Sequence, residues 1–204
     1  MTIHITGDAA ADQLLSDDPF ALLVAMVLDQ QIPLERAFAA PLALRARLGG
    51  ELDAAQIATM DPSVLGAAFA EKPALHRFPS AMAERVQLLS RVVVDRYAGD
   101  AARVWTSATD GRELLENVKA LPGFGVQKAQ IFVALLGKRL GISTPGWAEA
   151  SGPFGEPGSF RSVADIDGAE SLTRVREHKQ AMKVAAKSLA AMDAPSKARV
   201  ARRS

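Results

Sequence analysis

The stretch from Leu114 to Leu140, LLENVKALPGFGVQKAQIFVALLGKRL, admits few folds. It reads as two helices around a turn at Leu121-Pro122-Gly123-Phe124-Gly125. Leu114, Leu115 and Val118 share one side of the first helix. In the second, Ala129, Phe132, Val133 and Leu136 repeat at the three-and-four spacing of a buried stripe. Pro122 ends the first helix, and the two glycines permit backbone conformations that a side chain obstructs. A glycine turn that opens a helix leaves amide N–H groups pointing outward at the positive end of the helix dipole, a place for a phosphate. Lys128, one turn further on, can add a charge-assisted contact to the same group.

Leu-Pro-Gly-Phe-Gly, followed after three residues by Ala129, resembles the hairpin turn of the HhH-GPD superfamily of base-excision DNA glycosylases, the endonuclease III-like fold. The competing reading is a helical hairpin that only packs. A second segment carries the same resemblance. Asp17 or Asp18, followed by Pro19, opens an almost wholly apolar helix, Phe20 to Gln31, and a helix apolar on every face belongs at the centre of a core. In the family such a helix ends in a polar segment whose glutamine reaches toward the space left by a flipped nucleotide. By register Gln31 is the match and Gln30 the second choice. The family also places a long amphipathic helix shortly before the hairpin. Here Ser80 is expected to cap a helix from Ala81 to Tyr97, with Met82, Val86, Leu89, Val93 and Tyr97 on one stripe.

The remaining periodic segments are helical as well and their connections are short, which predicts an all-α protein. Helices are expected over residues 8–15, 34–48, 52–59 and 62–69, around Val104-Trp105, and from about Ala169 to Met192. The last should turn Leu172, Val175, Met182, Ala185 and Leu189 inward. The resemblance implies a two-lobed helical bundle with a helix-hairpin-helix motif, in one domain over residues 1–204. The middle lobe would take about residues 34–140, with the hairpin at 114–140. The other lobe would combine 1–33 with 160–192, leaving 193–204 as a basic tail. Residues 141–158 form a glycine- and proline-rich loop, in which Trp147 and Phe154 argue for packing.

The chain has no cysteine, which excludes disulfides, thiol catalysis and a cysteine-ligated iron–sulfur cluster or zinc site. His4, His76 and His178 are too scattered for metal-ligand spacing, so no cofactor is expected. Hairpins of this family can nevertheless hold a monovalent cation through turn carbonyls. A net charge of +1 does not announce a nucleic-acid binder. From Lys179 onward, however, Lys179, Lys183, Lys187, Lys197, Arg199, Arg202 and Arg203 face the single acid Asp193. Such a basic end either lies along a phosphate backbone or is a solvated helix face. There is no signal-like leader and no apolar run of the ~20 residues that cross a bilayer, so a cytoplasmic monomer without membrane contact is expected.

A DNA glycosylase expels a base, holds it in a pocket and stabilises positive charge developing on the sugar. A carboxylate suits the last task, whereas a lysine can attack the sugar and form a Schiff base. The lysine of bifunctional family members lies two residues after the second hairpin glycine. Here that residue is Gln127, and Lys128 lies on a different face of the helix. The resemblance therefore implies a monofunctional glycosylase, hydrolysing the N-glycosidic bond of a damaged or mismatched base in double-stranded DNA without cutting the strand. The family's catalytic Asp, counted without gaps, falls on Pro145. The candidates that remain are Asp165 and Glu149, nearly level, with Asp167 beside them. Asp165 or Asp167 reads equally well as the cap of the last helix, and Glu149 as a loop charge. Trp147 is either the stacking wall of a base pocket or a loop anchor. The expected DNA-facing set is Gln31, Gln30, Leu121, Gly123, Phe124, Gly125, Gln127 and Lys128. Two other readings stay open: a non-catalytic DNA-binding protein on the same fold, and a protein–protein adaptor.

Overall fold

The computed structural model describes residues 3–192, with side chains through residue 188. Every regular element among them is helical. The first two helices start where their aspartates dictate. Asp8 accepts hydrogen bonds from the Ala10 and Ala11 N–H groups at the head of α1 (Ala9–Asp17). Asp18 does the same for Phe20 and Ala21 at the head of α2 (Pro19–Leu28), where Pro19 occupies a position that needs no N–H donor. Every residue of α2 from Phe20 to Leu28 is buried, as an all-apolar helix requires.

Around it, α3 (Leu34–Arg47) packs on α1 and α2, while α4 (Ala54–Thr59) and α5 (Pro62–Ala70) pack on α6 (Pro79–Tyr97). The short α7 (Arg103–Thr106) leads into α8 (Gly111–Lys119) and α9 (Val126–Leu140), which pack on each other across the predicted turn. A one-turn helix α10 (Trp147–Ala150) lies against both, and α11 (Ala169–Met192) closes the described chain. One continuous buried apolar cluster joins α1 through α9 and reaches Val175 of α11. No helix among the described residues is long and apolar enough to cross a membrane.

Several local expectations change. Helix α2 stops at Leu28, so Asp29, Gln30 and Gln31 lie beyond it rather than in its last turn. Ser80 caps nothing: Phe78 precedes the helix and Pro79 opens it, with no side-chain cap bond. Helix α3, assigned by sequence to the middle elements, packs mainly on α1 and α2. The inward stripe of α11 holds only near its start. Val175 is fully buried and Leu172 half-buried, but Met182 is 58% exposed and Ala185 is exposed, because α11 meets the body chiefly through the Val163–Asp165 turn. The Leu189 side chain and residues 193–204 lie outside what is described.

Candidate nucleic-acid interface

The two hairpin glycines do different jobs. Gly123 has φ +87°, and a Cβ there would stand 2.9 Å from Cδ of Arg85. Its backbone demands glycine, and a side chain there would also have to displace Arg85. Gly125 has an ordinary φ of −82°, and a Cβ there would meet nothing within 4 Å. The fold does not require glycine at 125. It is the N-cap of α9, it is exposed together with Val126 and Gln127, and no side chain caps the helix. The first-turn amides of α9 are thus left to solvent or to an acceptor brought from outside. Leu121 and Phe124 turn inward, 3% and 6% exposed. The Phe124 ring meets Phe132 edge-on at 5.6 Å, and Trp105 meets the same ring at 5.8 Å. Their side chains anchor the turn, so only their backbone is available to a ligand. The Pro122 and Gly123 carbonyls accept no hydrogen bond among the described residues, leaving oxygen donors of the kind a monovalent cation takes.

The end of α2 lies directly against this turn. Lys128 Nζ donates to the Met26 carbonyl at 2.7 Å and to that of Val27 at 3.4 Å. This corrects its expected role as an outward phosphate ligand. The four C-terminal carbonyls of a helix lack internal partners, and an ammonium at that negative end satisfies two of them. Burial pulls the Lys128 ammonium below the usual lysine range; Asp29 opposes the shift and Arg85 adds to it.

Gln30 is held on every side. Its Nε2 donates to the Val27 carbonyl at 2.7 Å, and its Oε1 accepts from Arg85 Nη1 at 3.1 Å. Its own carbonyl lies 2.8 Å from His76 Nε2, while His76 Nδ1 accepts from the Phe78 N–H. That second bond puts the imidazole proton on Nε2, which therefore donates to Gln30. Gln31 is the opposite: exposed, without a hydrogen bond among the described residues, and at φ +57°. A left-handed backbone costs a residue with a Cβ about 1–2 kcal/mol. Of the two glutamines, Gln31 alone is free to probe a ligand.

Asp29 immediately precedes this pair. It is half-buried and lines a cleft of about 380 Å³ together with Pro33, Glu35, Val175, Lys179 and Lys183. Its carboxylate accepts no hydrogen bond from the described residues. Burial pushes it above the ordinary carboxylate range, against the pull of Lys179 and Lys128, and Glu35 adds to the rise. Lys179, Lys183 and Lys187 recur every four residues on the exposed part of α11, the first two on the rim of this cleft. Sequence reasoning missed Asp29, Arg85 and His76 as parts of the site. Asp29 had a signal, since a charge follows an unbroken apolar run there; Arg85 and His76 had none.

The carboxylates singled out from sequence lie elsewhere. Asp165 is 2% exposed and Lys138 9%, and their charged atoms are 2.6 Å apart. Its Oδ1 also accepts from Ser159 Oγ at 3.1 Å, and its Oδ2 from the Arg161 and Ser162 N–H groups at 2.8 and 3.0 Å. With Ser162 it forms a reciprocal cap on the Val163–Asp165 turn. All its acceptor capacity faces protein, which corrects the catalytic expectation for Asp165. Asp167 accepts from Ser171 Oγ, a bond that holds its carboxyl below the usual range. Glu149 is exposed on α10. Trp147 packs onto Gly137, where a Cβ would come within 2.4 Å of the indole. It anchors the loop against the far half of α9, about 16 Å from the turn at 1.5 Å per residue. The structure does not bring Trp147 or Glu149 together with Gln31. No family model matches this chain, and neither does any curated protein or solved structure.

Proposed function

We propose that this chain binds DNA through a helix-hairpin-helix motif at α8–α9 and acts as a monofunctional DNA glycosylase, releasing a damaged or mismatched base by hydrolysis. One observation carries the reading. The hairpin and the glutamine segment, about a hundred residues apart in sequence, meet at the Lys128–Met26 contact of 2.7 Å. The uncapped head of α9 supplies amides for a phosphate, and the dispensable glycine at 125 leaves the backbone open to one. Gln31 projects beside it in a strained conformation, of the kind that concentrates at functional sites. Lys179, Lys183 and Lys187 extend the basic surface along α11. In the two-lobed arrangement expected of such proteins, duplex DNA would cross the face shared by the α8–α9 turn and the end of α2. The Pro122 and Gly123 carbonyls would hold a monovalent cation in the turn.

A second reading is a non-catalytic DNA-binding protein on the same fold. It is favoured by Gln127 at the lysine position and by the full occupancy of Asp165. Incubation with duplexes carrying uracil, hypoxanthine, alkylated or oxidised purines separates the two. Base release that needs alkali to cut the strand is the expected result. Salt-sensitive binding without release selects the second reading, and absence of binding at low salt rejects both.

A further inference from the structure

We propose that Asp29 is the carboxylate that faces the reacting sugar; this rests on the glycosylase reading above. Three observations place it there. Asp29 adjoins Gln30, which is held by Val27, Arg85 and His76, so its backbone is fixed relative to the projecting Gln31. It lines a cleft of about 380 Å³ between the start of α3 and α11, within the size range of small-molecule sites. Its oxygens receive no hydrogen bond from the described residues and are not sealed from solvent, so they stay open to water or a ligand in the cleft.

The charges around it suit the chemistry. Its charged neighbours act on it without touching it: Lys179 on α11 and Lys128 on α9 favour its ionised form, and Glu35 on α3 disfavours it. Lys183 and Arg176 line the same cleft, and Arg176 is paired with Glu35. The two lysines oppose protonation of Asp29, and Lys179 with Lys183 offers charge to the phosphates flanking an extruded nucleotide. In the reaction the C1′–N bond breaks, its electron pair leaves with the base, and the base takes a proton from solvent. Water forms the new C1′–O bond and its proton passes to the Asp29 carboxylate and on to solvent. The same carboxylate stabilises the cationic sugar between these events.

The test uses the full chain with the lesion duplexes named above, reading DNA binding by anisotropy and base release in single turnover from acid to neutral pH. Asp29→Asn should bind within about twofold of wild type yet release base about 100-fold or more slowly, the scale of losing one preorganised charge. The wild-type rate should fall as pH drops through a value above the ordinary carboxylate range. Asp29→Asn releasing base within about threefold of wild type overturns the assignment and leaves the glycosylase reading intact. Binding without release by wild type overturns the assignment together with catalysis. Neither binding nor release overturns the reading itself. Thermal melting reports whether Asp29→Asn folds. Should it not, Asp29→Glu decides: a displaced pH profile supports the assignment, and an unmoved one overturns it.

Discussion

Asp165 and Asp29 are both shielded aspartates with a lysine close by, and their surroundings differ in kind. Around Asp165 the protein supplies an ammonium, a hydroxyl and two backbone N–H groups, all within hydrogen-bonding distance. Around Asp29 it supplies burial and distant charge only, because Lys128 directs its ammonium to the carbonyls of α2. A carboxylate with every acceptor site filled by protein has no means of meeting a substrate and serves cohesion. One that is shielded yet unbonded binds its proton more tightly and keeps its lone pairs for chemistry. The same division separates the hairpin glycines: Gly123 is required by its φ and crowded by Arg85, whereas Gly125 is neither.

The largest effect should come from breaking the filled site. Asp165→Ala leaves the Lys138 charge buried without its partner and orphans two N–H groups, a change that typically costs about 3–5 kcal/mol. Chemical denaturation should show a loss of that order, with base release per folded molecule unchanged. A loss below about 1 kcal/mol would erase the distinction between the two aspartates. Next comes the glycine pair. Gly123→Ala should cost about 1–2 kcal/mol from the left-handed backbone, with Arg85 forced to move. Gly125→Ala should cost less than about 1 kcal/mol, the ordinary effect at a helix N-cap, and weaken DNA binding several-fold. Equal destabilisation by both would make Gly125 a structural glycine and withdraw its part in the interface.

Much of the scaffold was legible in the sequence. Asp18, one of the two aspartates before Pro19, caps α2 as a short acidic side chain there should, and the apolar run of α2 announced a central helix. What failed needed partners distant in the chain. Periodicity placed Lys128 on the face of a helix but could not show that the end of α2 lay within reach of its ammonium. Asp165 read as either a catalytic carboxylate or a helix cap, and only the fold shows Lys138, Ser159, Arg161 and Ser162 converging on it. Met182 fell on a plausible inward stripe, but a stripe is buried only where a neighbour covers it, and the described part of α11 has none there. Polar function at a junction depends on tertiary neighbours, which local spacing does not encode.

A smaller effect concerns pH. Burial raises the Asp29 carboxyl above its unfolded value, so the folded chain binds that proton more tightly. The stabilisation this gives is complete below the unfolded pKa and is lost as pH rises through the folded one. Asp167 runs the other way: its carboxyl is lowered, and its contribution is present above the unfolded pKa and lost as pH falls through the folded one. Asp29→Asn removes only the first contribution. Urea midpoints of variant and wild type should therefore draw apart in favour of the variant as pH rises from acid toward neutral. A difference that stays flat would show Asp29 to be solvated like a surface carboxylate, which would remove its contrast with Asp165.

The smallest stability change, and the one that best separates folding from function, belongs to Gln31. Its left-handed backbone at φ +57° is one of two such non-glycine conformations among the described residues, the other being Ala98. Ala98 is the C-cap of α6 and precedes Gly99, a place where helices commonly end in that conformation. Gln31 ends no helix, and its exposed side chain makes no hydrogen bond that would offset the strain. Gln31→Gly relieves the strain but loosens the unfolded chain, so the net gain should be no more than about 1 kcal/mol. On the proposed function, lesion binding and base release should nonetheless fall, because the variant lacks the exposed, unbonded side chain proposed to enter a gap in the duplex. Gln31→Ala keeps the strain and loses the amide, so it should match the glycine variant in function and fall below it in stability. Should both variants bind and release like wild type, the strained backbone at 31 would be a feature of the chain's path from α2 to α3, and the lesion-probing role would pass from this segment.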